Sequence, residues 1–375
     1  MKQAIIIALA ISSIQLSFGD ELTEADLGQL LFFDANLSLN RSQSCSTCHD
    51  PARAFTDGRE TAALGIASLG DDGHSFGNRN APTAAYANTS PAFHYDEALG
   101  EYVGGQFWDG RAATLADQAA GPPLNPAEMG MPDTATVFER LNANAVYKEA
   151  FPALYGEAVL NDPDTAYQAM TQAIQAFEQT ELFSPYDSKY DRFLRGEYEL
   201  TVLEDLGRTL FFSEANVNCS TCHMLKREDA AQEPFTNHQY RNIGVPSNPN
   251  IIAAAELGEA YIDHGLLENP AVDDATYDGK IKTPTLRNVA ITGPYMHNGV
   301  FKDLRTVVEF YDKYNNTERT INPETGEPWR EAEVPGTIDL DDLRAQKLTE
   351  RKIDALVAFM KTLTDARYEY LLEEK

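Results

Sequence analysis

Apolar residues recur at helical spacing in three long stretches of the chain, Leu141 to Phe151, Thr165 to Leu182 and Glu350 to Leu372. Each predicts a helix with one buried face. Two shorter runs, Ala113 to Ala119 and Leu304 to Tyr311, have the same character. Thr165-Ala166-Tyr167-Gln168 and Thr349-Glu350-Arg351-Lys352 supply N-terminal caps. Strand-like alternation is scarce, so the pattern predicts helices joined by loops. The pattern also repeats. Leu30-Leu31-Phe32-Phe33-Asp34-Ala35-Asn36 returns as Leu210-Phe211-Phe212-Ser213-Glu214-Ala215-Asn216, and Phe55-Thr56-Asp57 as Phe235-Thr236-Asn237. Arg79-Asn80-Ala81-Pro82-Thr83 is echoed by Lys282-Thr283-Pro284-Thr285-Leu286-Arg287-Asn288, and Phe107-Trp108-Asp109-Gly110 by Tyr295-Met296-His297-Asn298-Gly299. The order is the same in both halves, which predicts a duplicated domain rather than a short-period solenoid. The polar segment Asp191 to Glu199 is the expected junction, giving domains over 20–195 and 196–375.

Composition refines this. Nineteen Pro and 24 Gly in 375 residues suggest many loops around few helices. A net charge of −28 argues against nucleic acid, whose phosphates would be repelled, and suits a partner with a basic patch. Met1-Lys2-Gln3, the apolar run from Ala4 and the small residues at Ser17-Phe18-Gly19 read as a secretory signal peptide over 1–19. The expected mature chain starts near Asp20, is exported, and has no membrane span.

All four cysteines fall in two motifs, Cys45-Ser46-Thr47-Cys48-His49 and Cys219-Ser220-Thr221-Cys222-His223. Disulfides, a thioredoxin-like pair or zinc are the other readings of paired cysteines. Two complete Cys-x-x-Cys-His motifs that use every cysteine point instead to two covalently attached c-type haems. In each, the thiols add to the haem vinyl groups and the histidine binds iron. The expected fold class is all-α: two cytochrome c-like domains, each with one haem c supplying much of its apolar core.

At this point the chain resembles the bacterial di-haem cytochrome c peroxidase and MauG family. The resemblance rests on both haem motifs, Arg79 to Thr83, Phe107-Trp108-Asp109-Gly110-Arg111, Asn125-Pro126-Ala127-Glu128-Met129, and Thr283 to Asn288 through Gly293-Pro294-Tyr295-Met296-His297. It implies that the His49 haem reacts with hydrogen peroxide, with Gln118 and Glu128 on its distal side. A partly desolvated Glu128 suits moving a proton between the peroxide oxygens. It further implies that Trp108 relays between the haems, and that Asn80, Thr292 and Pro294 hold a Ca²⁺ through oxygen atoms. Without the resemblance, Glu128 would read as a solvated loop acid, Gln118 as a surface residue, and Trp108 as a core aromatic.

The remaining choice lies on the second haem. The peroxidases proper place a Met opposite the histidine, whereas MauG-like members have Tyr. Here the matching position is Tyr311. A thioether favours Fe(II); a phenolate is hard and anionic and lowers the potential. The expectation is therefore a periplasmic MauG-like enzyme that uses peroxide, through a high-valent di-haem state, to oxidise aromatic residues, Trp first among them, of a partner protein. The alternative is a cytochrome c peroxidase fed by a small cytochrome or cupredoxin. A pure electron carrier would leave Gln118 and Glu128 without a task. Either a monomer or a homodimer fits. His74 lies in about the loop where some di-haem peroxidases place a first-haem ligand, and it reads first as a loop histidine beside an open haem; His94, His238 and His264 read as surface or loop residues. His297 is expected near the second haem's propionates or the interface, and Trp329 as a loop-packing residue. MauG passes oxidising equivalents through a Trp just before its second haem motif; Asn216-Val217-Asn218 offers none.

Overall fold

The computed structural model describes residues 22–61, 63, 65–213, 216–225 and 233–373, and the expected leader lies outside them. Among the described residues the chain is helical with little sheet. The helices are α1 (Glu24–Phe32), α2 (Cys45–Cys48), α3 (Leu115–Ala119), α4 (Thr134–Ala143), α5 (Ala145–Tyr155), α6 (Pro163–Glu178), α7 (Lys189–Leu194), α8 (Val202–Phe211), α9 (Cys219–Cys222), α10 (Pro249–Ala254), α11 (Leu304–Asp312) and α12 (Glu350–Lys361). Two antiparallel ribbons complete it, β1 (His94–Asp96) with β2 (Glu101–Val103) and β3 (Tyr240–Arg241) with β4 (Ile281–Lys282).

The duplication is visible in how the helices start and cross. Thr23 with Asp26 opens α1, and Thr201 with Glu204 opens α8, each as a reciprocal capping box. α1 crosses α6, and α8 crosses α12, at a glycine. A Cβ on Gly28 would stand 1.8 Å from the Ala173 carbonyl oxygen, and one on Gly207 1.9 Å from that of Ala355. No other side chain fits either crossing. Phe177 and Phe359 flank the two contacts. One apolar core runs from Leu27 to Phe183 and a second from Tyr190 to Leu363. These are the two cytochrome c-like halves of an all-α fold.

Several boundaries differ from the sequence pattern. The run from Leu141 breaks at Asn144, whose extended backbone ends α4 and whose side chain caps α5. α6 starts earlier than Thr165, because Asp162 accepts from the Thr165 amide and Pro163 occupies the first turn. It also stops at Glu178 rather than Leu182. The last helix stops at Lys361 and resumes as a 3₁₀ stretch over Ala366–Glu373. Asp365 is drawn inward between them, accepting from Tyr86 Oη at 2.5 Å and Asn288 Nδ2 at 2.8 Å. Thr349 caps α12 as its sequence implies. The polar segment from Asp191 begins inside α7, where buried Asp191 pairs with buried Arg287 at 2.6 Å.

Candidate active site

The two Cys-x-x-Cys segments each form a single helical turn, α2 and α9, that ends at its histidine. Both histidine rings are oriented by the backbone. His49 Nδ1 lies 3.1 Å from the Phe55 carbonyl oxygen, and His223 Nδ1 3.3 Å from that of Phe235. Phe55 and Phe235 both have positive φ, 56° in each case. A threonine pins the preceding carbonyl in each half: Thr83 Oγ1 donates to Ala54 at 2.5 Å, and Thr285 Oγ1 to Pro234 at 2.6 Å. So the repeated Pro-Thr and Phe-Thr landmarks build one device twice, fixing the Nδ1 side of each ring. Burial lowers both imidazoles, His223 to about 4. They are therefore neutral at ordinary pH, the form that binds metal. The four thiols are free and pushed up by burial, Cys45 and Cys219 to about 12, Cys48 and Cys222 to about 11.

Beside α9 lies a cavity of about 230 Å³. Cys219, Cys222 and His223 line one side, and Tyr311 of α11 and Met360 of α12 lie in its wall with Trp108 and Met296. The unpaired thiols and the neutral histidine on its wall fit a haem attached at α9. Burial, reinforced by the Cys222 and Cys219 thiols, raises the Tyr311 hydroxyl well above its usual range. A phenolate would form there only with a cation in the cavity.

In the first half, Glu128 is half-buried on the loop after α3. One carboxyl oxygen accepts from Asn125 Nδ2 at 2.8 Å. Burial raises Glu128, opposed by that bond and by the Arg111 guanidinium. It lies within electrostatic reach of both Cys45 and Cys48. Gln118 is half-buried in the last turns of α3, before that loop. Trp108 lines both the second cavity and an adjoining one of about 150 Å³ bounded by Pro82, Tyr86 and Phe107. Its Nε1 donates to the Asn80 carbonyl at 2.8 Å. Asn80, Thr292 and Pro294 meet around a cavity of about 10 Å³, closed by Thr56, Asp57 and the 65–68 loop. That is room for one water-sized occupant.

The other histidines divide. His74 is exposed and lies 3.3 Å from Asp72. His94 is exposed on β1, and His264 lies 2.6 Å from Asp278. His238 departs from expectation: it is buried, with Nε2 3.5 Å from Thr89 Oγ1, because its loop is clamped between the halves. His297 lines the second cavity, 3.7 Å from Asp263, lowered to about 4 by burial. Trp329 packs edge-on against Phe301 and Phe310, each 5.8 Å away.

Among the ionisable groups that sequence reasoning did not single out, two are strongly shifted by burial. Lys282 lines both larger cavities, donates to the Gly105 carbonyl, and is lowered to about 8 by burial. Its place beside the repeated Pro-Thr landmark was the available signal. Glu178 closes the apolar face of α6 and is raised to about 8 by burial. A Glu on a helix face of Ala166, Met170, Ala173, Ile174 and Phe177 was the signal there.

Residues 23–199 match the family model described as di-haem cytochrome c peroxidase. The methylamine utilization protein MauG of Paracoccus denitrificans (strain Pd 1222) is 52% identical over 99% of this chain and 96% of its own. The cytochrome c peroxidase Ccp of Escherichia coli (strain K12) is 32% identical over 77% of this chain and 52% of its own. Among solved structures, the diheme peroxidase BthA from Burkholderia thailandensis E264 superposes with a TM-score of 0.82 at 33% identity, covering 92% of this chain and 87% of that one.

Proposed function

The chain belongs to the di-haem cytochrome c peroxidase and MauG family, peroxide-dependent oxidoreductases with two haems, and on that premise we propose that it is a MauG-like oxidase of a partner protein. In this reading it works in the periplasm, over domains 20–195 and 196–375. Cys45, Cys48 and His49 hold one haem c, and Cys219, Cys222 and His223 the other. Once bound, the two haems supply the capacity to accept two oxidising equivalents from hydrogen peroxide and pass them to aromatic side chains, Trp first among them. The chain's own residues do the rest. Glu128, through the carboxyl oxygen not engaged by Asn125, takes the proton from the near peroxide oxygen and returns it to the leaving one. Gln118 orients the peroxide by hydrogen bonding. Trp108, in the wall shared by the two cavities, is suited to relay charge between them. Asn80, Thr292 and Pro294 offer neutral oxygens to a Ca²⁺ beside that wall.

The observation that carries the reading is Tyr311, in the wall of the second cavity with both thiols acting on its hydroxyl. An anionic oxygen ligand favours the oxidised haem. A cytochrome c peroxidase is the second reading, and one feature favours it: Met296 and Met360 line the same cavity, so a thioether is within its walls. The near-infrared spectrum of the ferric holoenzyme decides. Tyr311 ligation gives a low-spin haem without a methionine-to-iron charge-transfer band; that band would overturn the MauG-like reading.

A further inference from the structure

Glu178 is a buried acid that neither proposed site uses. The helix crossings set a register between the halves: Ala173 and Phe177 of α6 correspond to Ala355 and Phe359 of α12, each pair flanking its glycine. One step further, Glu178 corresponds to Met360, and Ile174 to Leu356. Met360 and Leu356 line the second cavity. The same register turns Glu178 toward the first attachment site. Electrostatics agree with this placement: Glu178 acts on the Cys45 thiol, ahead of Cys48 and Glu128. Glu178 is 6% exposed, and its Oε2 has no hydrogen-bond partner. An orphaned carboxyl oxygen on an apolar helix face needs a compensating role.

We propose that Glu178 is a proton-exchanging group of the first haem, its carboxyl lying beside the Cys45 attachment point. The inference rests on the reading that Cys45, Cys48 and His49 hold that haem. A haem held there would supply one-electron oxidation by an external acceptor, with the gain of one positive charge. The Glu178 O–H bond then breaks, the carboxylate stays to balance that charge, and the proton passes to water. Reduction reverses each transfer. Linkage makes the coupling reciprocal: ionised Glu178 favours the oxidised haem, and oxidation favours ionised Glu178. The haem is therefore easier to oxidise as pH rises through the ionisation of Glu178.

Apart from the cysteines, Glu128 is the other titratable group whose charge acts on Cys45. Burial alone raises Glu178, to about 8. The Cys45 thiol is consumed as a thioether. Tyr167 of the same helix donates to the Ala120 carbonyl, and Glu128 acts on Cys45 from its loop. On the helices packed against α6, Glu24 and Asp26 of α1, Asp117 of α3, Glu139 of α4, and Lys148 and Glu149 of α5 are exposed. Arg140 of α4 donates to the Leu39 carbonyl; Tyr147 of α5 donates to Asp34, and the Tyr155 hydroxyl is influenced by Glu24. In the other half the corresponding Met360 cannot ionise, so the coupling belongs to the first haem alone.

The test is spectroelectrochemistry of the holoenzyme from about pH 6 to about pH 10, spanning the shifted carboxyl. At fixed ambient potential, the oxidised-to-reduced ratio of the first haem should rise with pH. Its limit is about tenfold per pH unit, one proton per electron. Glu178→Gln should flatten the Glu178 part of that rise and leave the second haem as in the wild type. Glu178→Met, the residue of the other half, should do the same. A slope unchanged in both variants overturns the proposal. For variants that fail to load haem, the wild type suffices: its reduced-minus-oxidised infrared spectrum should lose a protonated-carboxyl band on oxidation near neutral pH, and absence of that loss overturns the proposal. A pyridine haemochrome count of one haem per chain would instead overturn the underlying di-haem reading.

Discussion

At the scale of single residues, burial prepares acids in both halves. Glu128 is lifted above the usual carboxylate range because desolvation outweighs Asn125 and Arg111. A general base acts ionised, so the peroxide reaction should speed up with pH through that raised value. Below it the protonated acid cannot accept the proton, and the rate falls. Glu128→Gln should remove this acid limb and slow the reaction by roughly 10²- to 10⁴-fold, read by stopped-flow mixing of ferric enzyme with peroxide. A variant with an unchanged limb would place the base elsewhere. Tyr311 poses the complementary problem. Its hydroxyl is raised so far by burial that only a neighbouring cation makes the phenolate accessible. Tyr311→Met exchanges an anionic oxygen for a neutral thioether. The second haem's midpoint potential should rise, with a methionine-to-iron band appearing; an unchanged potential would remove Tyr311 from the iron.

At the scale of elements, the two crossings are the firmest constraint on the fold. Both glycines put a helix backbone directly against a carbonyl, so any Cβ must push the helices apart. Gly207→Ala should destabilise the chain by about 3 kcal/mol, the upper range for overpacking a rigid contact. Urea unfolding of the holoprotein measures it, and a change within error would mean that α8 can shift freely on α12. These crossings were not legible as such. What the sequence showed was their neighbourhood, the Leu-Phe-Phe segments and the Cys-x-x-Cys-His motifs, because covalent chemistry fixes residue type and spacing. Tyr311 and Glu128 were singled out through the family resemblance, and the structure puts Tyr311 in the second cavity's wall and Glu128 on the loop after α3. The ends of helices were less so. Asn144 caps a helix inside an apolar run that reads as continuous, and periodicity cannot see a cap that interrupts it. α12 ends where Asp365 finds Tyr86 and Asn288, partners from distant segments. Glu178 was passed over because a single acid on an apolar face looks like a helix end; only the register with α12 gives it a direction.

At the scale of the whole molecule, the small cavity between the halves ties the cation question to the relay question. Asn80 lines that cavity, and the same residue's carbonyl accepts from Trp108 Nε1 while its amide donates to the His297 carbonyl. Its side-chain Nδ2 donates to the Ile66 carbonyl, which leaves the side-chain oxygen for the cavity. Hard neutral oxygens from Asn80, Thr292 and Pro294, with waters, suit Ca²⁺ and give a softer metal no preferred ligand. An ion held there by both halves binds the folded chain and not the unfolded one. It therefore stabilises by about 2.7 kcal/mol when present at a hundredfold its dissociation constant. Chelation with EGTA should lower the thermal midpoint of the holoprotein. Because Trp108 hangs from Asn80, it should also change the absorption spectra of both haems together, and added Ca²⁺ should restore them where Mg²⁺ does not. A midpoint lowered without a spectral change would confine the ion to a structural part. No response to EGTA, with no calcium found by elemental analysis, would mean that the cavity holds water and that the wall carrying Trp108 is set by Asn80 alone.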